Sequence, residues 1–345
     1  GNTDAVLTTS NYSLPGVLGS DVVTLNNPTS GAYNTRLVGT GKTVQVSDLA
    51  ISGADAANYN LTSTTASAAV GSITRRQLTV SLTGAVSKVY NGTTAATLSA
   101  SNYSVAGILG NDVVNLNNPV SGVYNNRFVG TGKTIQVTGL AISGADANNY
   151  SLSSTFANAA IGEITKKDIT LALLSSPVLT KVYDGTTAIS LAEGNYSLSG
   201  VASSDLVTVA GTASFDNKDA GTAKVVTGTN FALAGTHKDN YTLTTVSAGT
   251  TGTITKKKLT ITADDKEKYQ GVDLPTFTAS FDGFITGESR SVLLTHPSFS
   301  TTADRLSPAS TYPIVVSGAT ALNYDIEHKN GVLTVKPGYP TSLSL

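Results

Sequence analysis

The chain repeats itself, and no other feature restricts its fold so much. Asn11-Tyr12-Ser13 recurs as Asn102-Tyr103-Ser104 and again as Asn195-Tyr196-Ser197. Gly53-Ala54-Asp55-Ala56 returns as Gly144-Ala145-Asp146-Ala147. From Asn11 to Asn102, and from Gly53 to Gly144, the offset is 91 residues, and roughly two positions in three match. A third, more diverged copy keeps the landmarks. Lys88-Val89-Tyr90-Asn91-Gly92-Thr93-Thr94 becomes Lys181-Val182-Tyr183-Asp184-Gly185-Thr186-Thr187. Ile73-Thr74-Arg75-Arg76, Ile164-Thr165-Lys166-Lys167 and Ile254-Thr255-Lys256-Lys257 read as the closing strands of successive modules. The expected domains are therefore 1–76, 77–167, 168–257, a different module over 258–337, and a linker or new module opening at 338–345. Gly1 aligns with Gly92, so the first copy lacks the counterpart of Gln77–Asn91. That copy is expected to show an open sheet edge.

Within a module the apolar period is two. Leu78, Val80 and Leu82 alternate with Thr79, Ser81 and Thr83, as a half-buried strand requires. Ile135 and Val137 do the same, and the phase slips at Gly139, which reads as a bulge or tight bend. Asn91-Gly92, Asp184-Gly185 and Asn330-Gly331 read as hairpin turns. Only Glu288–Leu294 carries a pattern that allows a turn or two of helix. Several short strands in about 90 residues predict small two-layer β modules, Ig-like or related sandwiches. The joints are short: Thr165, Lys166, Lys167 and Asp168 separate Ile164 from Ile169, without Gly or Pro. A joint of that kind is no flexible tether, so the modules are expected to stack end to end as a rod.

Composition narrows the function. Charged residues make up 13%, against the usual quarter or so, and the net charge is −1. Neither a basic footprint for nucleic acid nor a polybasic run for a membrane is present. Cys, Met and Trp are absent. Each module must be held by its own core, and no thiolate chemistry is available. A chain without Met and Cys also suits oxidising surroundings outside the cell. With no initiator Met, signal peptide or apolar run of spanning length, the chain reads as an excised piece.

At the Lys-Val-Tyr-Asx-Gly-Thr-Thr segments the chain resembles the YDG repeat of giant bacterial surface proteins. Residues 258–337 resemble the MBG domain, on Lys268-Tyr269-Gln270-Gly271, Gly283-Phe284-Ile285-Thr286-Gly287-Glu288, Thr311–Gly318 and Asn330–Val335. Such repeats look like those of filamentous-haemagglutinin-type exoproteins. The resemblance implies export to the cell surface or medium and a role in adhesion, aggregation or biofilm. It transfers no catalytic residue. The partners it implies are other modules of the same large protein, with polysaccharide or a host surface as a further expectation.

No chemical constellation competes with that reading. Gly39-Thr40-Gly41-Lys42-Thr43 and Gly130–Thr134 mimic part of a phosphate loop. The loop's first Gly is replaced by Arg36 and Arg127, and a strand follows where a helix should start. His237, His296 and His328 lie at neither metal-ligand nor catalytic spacing. Asp264, Asp265 and Glu267 are the calcium candidates, weighed against an ordinary acidic turn. Asn149-Tyr150-Ser151 and Asn240-Tyr241-Thr242 fit a glycosylation pattern that an Asn-rich chain produces freely. No cofactor and no enzyme activity are expected. Two functions remain: a stalk that holds a binding region away from the cell, or repeats that bind polysaccharide through Tyr and Asn with high avidity. The tyrosines are expected to anchor cores, Tyr90 and Tyr183 among them.

Overall fold

The computed structural model describes residues 1–338, so residues 339–345 of the expected terminal linker lie outside the described residues. The described chain is all β, with short 3-10 turns between strands. It divides into two compact units, Gly1–Thr165 and Lys166–Leu345.

In the first unit the second repeat shows the complete pattern. Its opening strand, Arg76–Leu82, lies in a three-stranded sheet. It runs antiparallel to Tyr103–Ala106 on one side and parallel to Tyr150–Leu152 on the other. The facing five-stranded sheet is ordered Val86–Val89, Phe156–Thr165, Gly130–Thr138, Ser121–Tyr124, Ala95–Thr97. Its tyrosine strand, Val86–Val89, runs parallel to the closing strand Phe156–Thr165. The two layers bury Leu78, Leu82, Tyr90, Tyr124, Ile135, Val137 and Ile164 between them. The alternation in the opening strand thus reports a real two-faced strand: Leu78 is 0% exposed while Thr79 and Ser81 face water.

Gly139 adopts φ +74 just past the end of the Gly130–Thr138 strand. The chain bends there into a short two-stranded ladder, Asn115–Leu116 with Ile142–Ser143. The bulge in this strand lies earlier, at Lys133, next to Gly132 with φ +62. One glycine is needed for close approach. A Cβ on Gly162 would stand 2.7 Å from the Tyr124 ring and 2.8 Å from the Lys133 carbonyl.

Residues 1–76 retain one four-stranded sheet and one two-stranded ladder, with no counterpart of the three-stranded sheet among the described residues. The closing strand Ala66–Ile73 is at the end of its sheet. Val70 is 68% exposed, whereas its counterpart Ile161 is half-buried. Only Ala5, Leu7, Val44, Val46 and Leu49 form the buried cluster.

In the second unit the third repeat follows the same plan. Lys167–Leu173 pairs antiparallel with Tyr196–Ser199 and parallel with Tyr241–Leu243. Leu179–Val182 pairs parallel with the closing strand Ser247–Thr255. The last module, despite its different sequence, has this topology as well. Lys257–Ala263 lies between Ala279–Asp282 (antiparallel) and Tyr324–Lys329 (parallel), and Lys266–Tyr269 runs parallel to Gly331–Lys336. One buried cluster runs from Leu179, Tyr183 and Phe215 of the third repeat to Leu259, Ile261 and Tyr324 of the last module.

Two local expectations change. Asn91-Gly92 and Asp184-Gly185 are turns with Gly at φ +78 and +79, but the strands they link are not paired as hairpins. Asn330-Gly331 is a crossing from one sheet to the other. A Cβ on Gly331 would meet the Ala263 carbonyl at 2.3 Å, so this glycine is required by packing rather than by a turn. The helical pattern at Glu288–Leu294 reduces to one 3-10 turn, Arg290–Val292.

Candidate functional site

The repeated Lys-Val-Tyr-Asx-Gly-Thr-Thr segment is a self-contained turn. The Asn91 and Asp184 side chains accept from the backbone N–H of Thr93 (3.1 Å) and Thr186 (2.9 Å), and from their hydroxyls. The strand's lysine then binds across the turn. Lys88 Nζ donates to the carbonyls of Thr93 and Ala95 at 2.7 and 2.8 Å, and Lys181 Nζ to Thr186 and Ala188 at 3.1 and 2.8 Å. Burial weakens the charged form of Lys88 and lowers its pKa. The tyrosines between are 1% and 2% exposed, as expected for core anchors.

A second constellation recurs at one end of all four modules. A turn residue donates its N–H to a tyrosine hydroxyl, and a carboxylate three positions later accepts from that hydroxyl. The sets are Leu18, Tyr59 and Asp21; Leu109, Tyr150 and Asp112; Ala202, Tyr241 and Asp205; and Ile285, Tyr324 and Glu288. The hydroxyl–carboxylate distances are 2.7 Å in the repeats and 2.5 Å in the last module. A hydrogen bond to a charged acceptor is among the stronger ones.

Within each unit this constellation is where one module meets the next. In the first unit Arg36 of the first repeat donates to Asp112 at 2.8 Å and to Asp146 at 3.4 Å. Val38 N–H donates to Asn149 Oδ1 at 3.0 Å, and Arg75 Nε to the Asn148 carbonyl at 3.1 Å. The Asp112 carboxyl is held below its ordinary pKa, first by the Tyr150 hydroxyl and also by the Arg36 guanidinium. In the second unit the corresponding bonds are Ala220 N–H to Asn323 Oδ1 at 2.8 Å and Lys256 Nζ to the Ala321 carbonyl at 3.0 Å. Asn323 also donates to Asp219 at 3.0 Å. The Ile-Thr-basic-basic motif therefore supplies the cation that closes each of these joints.

The carboxylate of the last module has a further partner. Glu288 accepts from Tyr324 through Oε2 and from Tyr183 of the third repeat through Oε1, at 2.6 Å. The two rings meet edge to face, with centroids 5.6 Å apart. Burial, and then the hydrogen bond to Glu288, pushes both hydroxyls up to about 12. These acids were missed in the sequence reading. The signal was available, since an acid stands 36 or 38 residues before the tyrosine of every Asn-Tyr pair at this place.

The residues singled out for other chemistry are dispersed. Thr278 donates to Asp264 at 2.6 Å, Val332 N–H donates to Asp265 at 2.6 Å, and Glu267 pairs with Lys336. No cluster of three metal-ligating side chains occurs among the described residues. Gly39–Val46 and Gly130–Thr138 are strands, in which Lys42 and Lys133 reach back to Thr35 and Asn126. His237 Nδ1 accepts from Leu206 N–H, the task Asp55 and Asp146 perform in the other repeats. Asn149, in its glycosylation-like triplet, is committed to the joint.

Geometry and repetition define a tandem array of β modules in which this recurrent polar site lies at the joint within each unit. The YDG domain matches residues 1–66, 74–159 and 165–248, and the MBG domain (YGX type) matches 259–334. The chain belongs to the YDG domain family, with an MBG domain after its third repeat. These are structural, adhesin-type domains of surface repeat proteins rather than catalytic ones. No curated protein matches the chain. Among solved structures, a crystal structure of Drosophila N-cadherin EC1-3 is similar at 9% identity and a TM-score of 0.21. The match covers 74% of this chain and 98% of that one.

Proposed function

We propose that these residues are a stalk segment of a large secreted bacterial cell-surface adhesin. The segment projects a binding region in adhesion, aggregation or biofilm formation, and its partners are other modules of the same protein. The observation that carries this reading is the joint chemistry. In both units side chains whose role is to fix one module on the next recur at matching places: Asn149 and Asn323, Arg75 and Lys256. A catalytic or solute-binding protein has no need to repeat that device, whereas a load-bearing array does. The alternative is that the repeats bind polysaccharide through Tyr and Asn; it has less support, since the tyrosines among the described residues are buried or half-buried and offer little ring for stacking.

In-frame deletion of these residues from the parent protein tests the stalk role. The expected result is weaker attachment of cells to a surface, with the isolated binding region keeping its affinity. Undiminished attachment would refute the stalk, and retention of the purified chain on a glycan array would favour the polysaccharide reading.

A further inference from the structure

In each YDG repeat one tyrosine binds backbone further along its own module through its hydroxyl. The Tyr12 and Tyr103 hydroxyls donate to the carbonyls of Pro28 and Pro119, and the Tyr196 hydroxyl accepts from Val209 N–H. Strand register locates the same place in each module. Tyr103 pairs with Leu82 at the end of its opening strand, and Tyr196 pairs with Leu173. In the last module the pair is Ala279 with Ala263. The tyrosine is missing there, and a cavity of 410 Å³ lies against Ala279.

The walls of this cavity are aromatic. Phe277, Phe281 and Phe299 line it, and the Phe277 and Phe299 rings stand 6.4 Å apart at 49°. Arg290 and His296 line it too, and both are exposed. Neither side chain has a hydrogen-bond or ion-pair partner among the described residues, and Asp264, close by, is taken up by Thr278. An aromatic wall holds a ring by edge and face contacts, and an unpaired guanidinium favours a carboxylate beside it. The sister repeats show which ring a backbone of this topology accommodates.

We propose that this cavity receives a tyrosine side chain of a partner polypeptide, with acidic residues next to that tyrosine. The partner supplies in trans the ring that the YDG repeats supply in cis, and Arg290 and His296 take the flanking carboxylates. The proposal stands independently of the stalk role, because it concerns one module and its contact with another protein.

The test is fluorescence anisotropy of a dye-labelled five-residue peptide, tyrosine at its centre and aspartate on both sides, titrated with the 345-residue chain. Saturable binding is expected, with an alanine-centred peptide about tenfold weaker or worse. Ala279→Tyr rebuilds the repeats' own closure and should abolish binding while far-UV circular dichroism stays unchanged. If that variant fails to fold, Arg290→Glu on the exposed rim decides, with a loss of about tenfold expected. The proposal is overturned by absence of saturation up to about 1 mM, or by binding that survives Arg290→Glu. Capture of a uronate oligosaccharide in place of the peptide would also overturn it.

Discussion

The joint in the first unit and the joint in the second use corresponding positions and different chemistry. Asp112 and Glu288 each accept a hydroxyl from their own module's tyrosine, Tyr150 or Tyr324. The other oxygen of Asp112 then meets Arg36, a side chain 47% exposed, whereas that of Glu288 meets the buried Tyr183. The second joint also lies within a continuous apolar cluster, and the small cluster of the first repeat stops short of the second repeat. An ion pair with a solvent-exposed partner contributes about 0–1 kcal/mol, and a hydrogen bond to a charged group about 1.5–3 kcal/mol. Tyr183 belongs to the Tyr-Asp-Gly turn of the third repeat, and its hydroxyl donates to Glu288 of the last module. The turn that names the family thus reaches beyond its own module and anchors the next one.

The largest test of this contrast is Tyr183→Ala. It removes a core ring and strips Glu288 of a donor, and should cost about 3–5 kcal/mol in calorimetric unfolding of the second unit. Tyr183→Phe isolates the hydroxyl and should cost about 1.5–3 kcal/mol. Equal, negligible losses in both variants would erase the distinction between the joints.

Hydrogen exchange compares the first repeat with its complete neighbour. Amides of residues 44–46 should exchange at least about tenfold faster than those of 135–137, since their sheet lacks its second layer. Equal protection would mean that the missing strands are dispensable.

Alkaline titration followed at 295 nm should find two tyrosines ionising only near pH 12, Tyr183 and Tyr324. A raised hydroxyl pKa means the proton is held more tightly in the folded state. The associated stability is complete below about pH 10 and disappears as pH rises through about 12. In Glu288→Gln both should ionise earlier.

The first joint should respond to salt and acid instead. Arg36→Ala should cost about 1 kcal/mol or less, and about 1 M salt should mimic part of that loss. Because the Asp112 pKa is depressed, its contribution is complete above the ordinary value of about 3.9. It is lost as pH falls through the lower folded value. Melting of the first unit should show this acid limb, and Asp112→Asn should flatten it.

The smallest effect concerns Ala223. It sits at φ +52 where the first two repeats have Gly41 and Gly132, at φ +63 and +62. Ala223→Gly should stabilise the third repeat by about 0.5 kcal/mol, the strain relieved less the entropy added to the unfolded chain. A loss of stability would show that Ala223 is not strained.

Much of the architecture could be read along the chain because it is local or repeated. Strand alternation at Leu78, Val80 and Leu82, the bend at Gly139, the Asx-Gly turns and the burial of Tyr90 and Tyr183 depend on near neighbours and on side-chain type. Such features leave a periodic mark wherever they occur. What tertiary structure alone decided are the pairings between distant residues. The opening strand lies parallel to Tyr150–Leu152, and Tyr183 meets Glu288 across 105 positions. Asn330-Gly331 looked like a hairpin turn, yet it crosses between layers because Gly331 packs on the Ala263 carbonyl. The absent tyrosine at Ala279 likewise became a cavity only once strand register placed it opposite Ala263. A parallel pair or a joint is set by which surfaces can be desolvated together, and no local period in the sequence encodes that choice.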